Sequence, residues 1–311
     1  MAVTLLFASQ SDDPVAWGRA LAALLPDIDM RVWPDAGNLA DIEVALVWAP
    51  PIGMLRTLPN LRLIQSLGMG VDHIFRDPEL PPKVPVARMV DPNMAGQMSE
   101  YAILAVLRHH RHADAYDAQQ RAGQWDHLPL PDTENTTVGI MGLGVLGGDA
   151  ASTLKALGFR VAGWSRNPKQ MDGIDGFHGR DGLAPFVARS NFLICLLPLT
   201  PETENIIDAR LLATLPAGAY VINMARGRHL VEEDLLAAIE RGHIAGAALD
   251  VFRTEPLPPD HPFRSHPRIH ATPHVAALTN PRTAAAQVAE NITRLRAGRP
   301  ILNLVDRERG Y

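Results

Sequence analysis

Cysteine is nearly absent: Cys195 is the only one in 311 residues, which excludes an internal disulfide and with it the disulfide-stapled extracellular class. It lies in the apolar run Phe192-Leu193-Ile194-Cys195-Leu196-Leu197, where a buried strand residue is expected rather than a nucleophile. No stretch reaches the roughly 20 apolar residues of a membrane span. No Lys/Arg block interrupts a balance of 29 basic against 34 acidic side chains, so neither nucleic acid nor an anionic membrane is an expected partner. Met1–Ala8 shows no basic region ahead of its short apolar run. A first strand is expected there rather than a signal peptide, and the cytoplasm is the expected location. Internal repeats and low-complexity tracts are also missing, and the length suits two domains with separate cores.

The most informative segment is Val138-Gly139-Ile140-Met141-Gly142-Leu143-Gly144-Val145-Leu146-Gly147. An apolar strand runs into Gly-x-Gly-x-x-Gly and then into a helical pattern, as a dinucleotide pyrophosphate requires. Gly142 makes the tight turn, Gly144 lets backbone approach phosphate oxygens, and Gly147 brings the helix close to its strand. A second apolar strand, Phe159–Trp164, ends at Ser165-Arg166. A further absence matters here, since no acidic residue stands at that strand end to hold a ribose 2′-OH. An acid would repel a 2′-phosphate, whereas Ser165 and Arg166 can bind one, so the spacing predicts NADP, with NADPH preferred over NADH.

Strands alternate with helices throughout. Candidate strands in the first ninety residues are Val3–Ala8, Met30–Trp33, Val44–Trp48, Leu61–Leu67 and Val84–Met89, with helical patterning over Val15–Leu25. A long helix is expected from Gln97 to Arg121. Its cluster Arg108-His109-His110-Arg111-His112 reads as a solvated face, because neighbouring histidines point in different directions and no second ligand group is suitably spaced for a metal. The strands and helices of a cofactor domain follow, closing with a short strand at Arg268–Ala271, and a last helix is expected over Arg282–Ala297. The predicted class is α/β, with two doubly wound parallel sheets and a Rossmann cofactor domain inserted in a flavodoxin-like substrate domain. The expected boundaries are 1–98 plus 278–311 for the substrate domain and 99–277 for the cofactor domain.

Three segments fall where strands of the cofactor fold should end. Arg226, after Val221–Ala225 and before Gly227, would project a two-pronged donor from the sheet edge. That suits a carboxylate, as an ordinary surface ion pair also would. Asp250 ends a strand near the nicotinamide end and is placed to hydrogen-bond a carboxamide. Glu255 stands in a proline-bounded loop, and His274 follows nineteen residues later in Ala271-Thr272-Pro273-His274. As a pair, ionised Glu255 would orient the imidazole and favour its protonated form, the acid that carbonyl reduction needs. Trp48, at a strand end, either caps a small pocket or belongs to the core.

Together these segments resemble the D-isomer-specific 2-hydroxyacid dehydrogenase family. The likeness runs over essentially the whole chain and rests on the glycine fingerprint, Leu193–Thr200, Met224-Ala225-Arg226-Gly227, Leu249–Phe252 with Glu255-Pro256-Leu257, and Thr272-Pro273-His274. Within that family the chain is similar to the glyoxylate/hydroxypyruvate reductase A branch, through Leu46–Pro51, Gly96–Tyr101, Trp164-Ser165-Arg166 and Val305–Tyr311. It departs from many members at Ala276-Ala277, where they carry glycine. The resemblance implies that Arg226 binds the substrate carboxylate, His274 donates the proton and Glu255 supports it. Gly68, Met69 and Gly70 would offer backbone amides to the carboxylate. Cofactor contacts are implied for Val145, Leu146, Pro198, Met224, Ala225, Asp250 and His274 beside the residues already named. It further implies a short 2-oxo acid substrate, a homodimer, and a loop around Trp125 that reaches a neighbouring subunit. Reduction of a larger 2-oxo acid, or a non-catalytic nucleotide-sensing role, stays open as an alternative.

Overall fold

The computed structural model describes residues 3–311. Its chain divides into two compact units, one reaching to Met94 and resuming over Thr279–Tyr311, the other comprising Ala95–Leu278. In chain order the first unit contributes β1 (Thr4–Ala8), α1 (Pro14–Leu24), β2 (Asp29–Val32), β3 (Ile42–Val47), β4 (Leu63–Ser66), the single turn α2 (Asp72–Phe75) and β5 (Val86–Ala87). Next comes α3 (Pro92–His110), followed by α4 (Ala113–Ala122), β6 (Thr137–Met141), α5 (Val145–Ala156), β7 (Arg160–Ser165) and β8 (Asp175–His178). The second unit continues with α6 (Gly179–Val187), β9 (Phe192–Cys195), α7 (Ala209–Thr214), β10 (Ala219–Asn223), α8 (Glu232–Glu240), β11 (Ile244–Leu249) and β12 (Ile269–Ala271). The first unit is completed by α9 (Pro281–Arg296).

In the first unit the parallel sheet has the order β2-β1-β3-β4-β5, the flavodoxin-like order of doubly wound folds. Helices α1 and α9 start where their sequences cap them. Asp13 and Asn280 each accept a backbone N–H in the first turn, of Val15 and Arg282, and each is followed by proline at the first helical position. Asn291 of α9 is fully buried. Its amide donates to Gln65 Oε1 on β4 at 2.9 Å, and its Oδ1 accepts the Leu302 N–H at 2.8 Å. A buried amide satisfied on both sides ties α9 and the strand region together.

The second unit's sheet is also parallel, in the order β12-β11-β10-β9-β6-β7-β8. Its central strands are buried on both sides because helices cover both faces. Alternate residues go to opposite cores: Met141, Leu193, Cys195, Val221 and Leu249 to one, and Val138, Ile140, Phe192, Ile194 and Ile222 to the other. Cys195 is buried as its run implied, and burial raises its thiol pKa to about 12 despite the Leu197 backbone N–H.

Two expectations need correction. The helix expected over 97–121 is two helices, broken at Arg111-His112, where His112 adopts a left-handed φ of 56°. The histidine cluster there is not a solvated face. His109 stacks on Tyr220 with ring centroids 4.2 Å apart, and His110 is buried with its ring 5.0 Å from Phe159. Local propensity favours one continuous helix, and tertiary packing sets the break. The edge strand β8 was not anticipated either, since Asp175-Gly176-Phe177-His178 is mostly exposed and carries no apolar alternation.

Candidate active site

In the second unit the chain leaves β6 for β7 and β8 on one side, then returns to place β9 on the other side of β6. Such a reversal opens a crevice at the carboxyl ends of the strands, where doubly wound folds bind ligands. The glycine loop lies there. Gly142 has φ +101°, and a side chain on it would stand 2.7 Å from the Leu196 carbonyl after β9. A Cβ on Gly147 would sit 1.8 Å from the Gly142 carbonyl, so only glycine lets α5 start this close to its strand. A Cβ on Gly144, the N-cap of α5, would meet nothing within 4 Å. The loop is thus tight on the protein side and open above Gly144, Val145 and Leu146.

At the end of β7, Ser165 Oγ donates to the Asn167 carbonyl at 2.8 Å, and Arg166 is exposed. Lys169 reaches back to the Leu143 carbonyl in the glycine loop. The first acid downstream is Asp172, whose carboxylate is paired with Lys155 at 2.8 Å. No carboxylate precedes Asp172 in the segment that follows β7, and from elsewhere in the chain the Glu202 carboxylate feels the Arg166 charge.

Beyond β10, Met224 and Ala225 are buried and Arg226 is partly exposed. The arginine's backbone is held from both sides: Asn223 Nδ2 donates to the Arg226 carbonyl at 2.9 Å, and the Arg226 N–H donates to His229 Nδ1 at 3.2 Å. Its Nη1 donates to the Ala225 carbonyl at 2.7 Å. Pro198, in the loop after β9, offers its carbonyl to His229 Nε2 at 3.2 Å and to Thr203 Oγ1 at 2.7 Å.

Past β12, His274 takes a left-handed φ of 55°, an uncommon conformation for a non-glycine residue and a signal of functional constraint. Its Nδ1 lies 2.9 Å from Glu255 Oε2, and Glu255 Oε1 accepts the Phe252 N–H at 2.9 Å. Burial pushes the Glu255 carboxyl upward. The His274 hydrogen bond, the Phe252 N–H and the charges of His274 and Arg226 together outweigh it, and the group lies below its ordinary value of 4.5.

Asp250 is buried and turned toward the His274 loop. Its carboxylate accepts Thr272 Oγ1 at 2.6 Å, the Val275 N–H at 2.9 Å and the Ala276 N–H at 2.8 Å, while its carbonyl accepts the His274 N–H at 2.8 Å. The Thr272 proton is committed to Asp250, so the Tyr101 hydroxyl, 2.8 Å away, donates to Thr272. Burial, with the Asp250 charge adding to it and the Thr272 bond opposing it, raises the Tyr101 pKa to about 12. Sequence reasoning missed Tyr101, Thr272, Asn223 and His229. Asn223 and His229, each three residues from Arg226, and Thr272, two before His274, carried a local signal, whereas Tyr101 carried none.

The four expected residues of the first unit lie together. Trp48 is half-buried, and a Cβ on Gly68 would fall 2.4 Å from its ring. The ring also lies 4.2 Å from that of His73. Ser66 Oγ accepts the Gly68 N–H at 3.1 Å, which engages one of the three loop amides. Met69 and Gly70 follow in the same loop, partly exposed.

A family model for the D-isomer specific 2-hydroxyacid dehydrogenase NAD-binding domain matches residues 103–276. A glyoxylate/hydroxypyruvate reductase A from Serratia proteamaculans is 46% identical over 300 residues, 95% of this chain and 96% of that protein. The chain belongs to the D-isomer-specific 2-hydroxyacid dehydrogenase family. Two solved members share its architecture. One, from Xanthobacter autotrophicus Py2 in complex with NADPH and MES, has a TM-score of 0.95 and 43% identity, covering 100% of both chains. The other is an NADPH-dependent glyoxylate/hydroxypyruvate reductase from Sinorhizobium meliloti in complex with NADP and sulfate. It has a TM-score of 0.94 and 37% identity, covering 99% of this chain and 100% of that one. Membership makes the protein an NAD(P)-dependent oxidoreductase, within the branch named glyoxylate/hydroxypyruvate reductase A. Among the described residues no helix is long and apolar enough to cross a membrane.

Proposed function

We propose that the protein reduces short 2-oxo acids with NADPH, glyoxylate to glycolate and hydroxypyruvate to D-glycerate. One observation carries the reading: the 2.9 Å contact between His274 Nδ1 and Glu255 Oε2, with Arg226 close enough for its charge to act on the same carboxylate. An ionised Glu255 accepts a hydrogen bond from Nδ1–H and fixes the ring, so Nε2 is the atom that delivers a proton to the developing alkoxide. Arg226 holds the substrate carboxylate with two parallel donors and polarises the adjacent carbonyl. In the first unit Ser66 takes the Gly68 N–H, and the Met69 and Gly70 amides of the same loop are the ones offered to a carboxylate. Trp48, resting on Gly68, limits side-chain size and favours two- and three-carbon acids.

When bound, NADPH supplies the hydride to the carbonyl carbon. The open space above Gly144 at the start of α5 fits a pyrophosphate. Val145, Leu146, Pro198, Met224, Ala225 and Asp250 complete the cofactor contacts. Ser165 and Arg166, with no strand-end acid, fit a 2′-phosphate, and both solved relatives described above hold NADP or NADPH. The same reading makes the protein a cytoplasmic homodimer. Trp125, 93% exposed, and Leu130, 62% exposed, in the segment after α4 supply apolar surface for a second copy, and light scattering after size exclusion should return twice the chain mass.

The direct test is NADPH oxidation with glyoxylate, hydroxypyruvate and phenylpyruvate. Turnover of the first two at a kcat/KM at least about a hundredfold above the third supports the reading. A preference for phenylpyruvate would reassign the substrate to a larger 2-oxo acid.

A further inference from the structure

His229 is fully buried, ionisable, and given no part in the chemistry above. It sits on the single helical turn Gly227–His229 that follows Arg226, and both ring nitrogens meet backbone of residues assigned to the site. Nδ1 lies 3.2 Å from the Arg226 nitrogen, which donates to it, and 3.1 Å from the Arg226 carbonyl. Nε2 lies 3.2 Å from the Pro198 carbonyl, 31 residues away in the loop after β9.

Counting donors and acceptors selects one tautomer. With the proton on Nε2, the ring donates to Pro198 and accepts from the Arg226 N–H, at the cost of an Nδ1 lone pair 3.1 Å from the Arg226 carbonyl. With the proton on Nδ1, the ring gains the Arg226 carbonyl as acceptor, but the Arg226 N–H meets another N–H in place of an acceptor and an Nε2 lone pair faces the Pro198 carbonyl. A buried N–H without a partner is costly, so the neutral Nε2–H form is the one this geometry holds. The ring is then a rigid two-ended brace.

We infer that His229 is a positioning residue that locks the Arg226 loop, on the substrate side, to the Pro198 loop, on the cofactor side. This rests on the proposed roles of Arg226 and Pro198. It assigns each end of one imidazole to a different ligand: the Nδ1 contact sets where the guanidinium meets a carboxylate, and the Nε2 contact sets the wall beneath the cofactor ribose. A residue that only filled core space would not separate the two.

Two substitutions divide the ends. His229→Asn keeps an acceptor near the Nδ1 position and is too short to reach Pro198. The expected result is an NADPH KM raised about five- to tenfold, with the glyoxylate KM within about twofold of wild type. His229→Gln keeps a donor directed at Pro198 and loses the acceptor for the Arg226 N–H. It should raise the glyoxylate KM about five- to tenfold and leave the NADPH KM within about twofold. Equal shifts of both constants in both variants, or no shift in either, would overturn the brace. Long-range ¹H–¹⁵N correlation of the wild-type histidine rings reads the tautomer without any need for an active variant. The account requires an Nε2–H pattern, unchanged from about pH 6.5 to 8.5, for the ring missing in His229→Asn. An Nδ1–H or doubly protonated pattern refutes it. Arg226→Ala serves as the control for the underlying reading. If it retains the wild-type glyoxylate KM, the substrate role of Arg226 fails, and the brace is then judged on the tautomer and the NADPH constant alone.

Discussion

Glu255 and Thr272 show how single side chains set the proposed chemistry. Because the folded-state pKa of Glu255 is lowered, its stabilising contribution is fully present above the ordinary value of 4.5 and is lost as pH falls through the depressed folded value. Thermal melts should therefore show a wild-type loss of stability on acidification below that value that is flattened in Glu255→Gln. The same variant should reduce glyoxylate more slowly by about ten- to a hundredfold at neutral pH, through the lost His274 partner. An unchanged rate would detach Glu255 from the proton donor. Thr272→Val keeps the shape but removes a donor to Asp250 and the acceptor for Tyr101, leaving buried polar groups unpaired. A cost of about 1–3 kcal/mol is expected in denaturant titration, larger than for Tyr101→Phe, which removes only one donor. The reverse ranking would mean the chain of hydroxyls does not hold the His274 loop. The sequence places Arg226 and His274 three residues past apolar strands and Glu255 six past one, and the fold brings Glu255 and His274 into contact. Tyr101 was not legible in the sequence, since its partner Thr272 lies 171 residues away and only the packing of α3 beside β12 brings them together.

At the scale of elements, strand ends carry the information. The fingerprint after β6 was readable because glycine spacing reports backbone constraints directly: a left-handed turn at Gly142 and a close approach at Gly147. Segment edges were less readable. Burial sorted the strands correctly, but β8, an exposed edge with glycine in its middle, offered no alternation to detect. The break between α3 and α4 was equally silent, since His112 reaches its left-handed conformation with Nε2 bonded to the Pro129 carbonyl at 2.8 Å, a contact outside any local pattern. The end of β7 yields a prediction at this scale. Ser165→Asp combined with Arg166→Ile places a carboxylate where a ribose hydroxyl would be read and removes the cation. It should reverse the ratio of kcat/KM for NADPH over NADH. A double variant that still prefers NADPH would move phosphate recognition elsewhere.

At the scale of the molecule, the chain forms two parallel doubly wound sheets, each with its own core, and the reversal beside β6 in the second unit's sheet places the glycine loop, Pro198, Arg226, Asp250 and His274 at strand ends of one edge. Nearly every apolar run became a buried strand, so the architecture followed from alternating β and α patterns. Side-chain networks that close only in three dimensions did not. Everything proposed for this site turns on His274 delivering the proton in an NADPH-dependent reduction. The most direct test is steady-state NADPH oxidation with glyoxylate by wild type and His274→Ala, with NADPH affinity measured in parallel by fluorescence. The expected result is a fall in kcat of about a hundred- to ten-thousandfold with NADPH affinity within about threefold. A variant that keeps kcat within about threefold of wild type would contradict it.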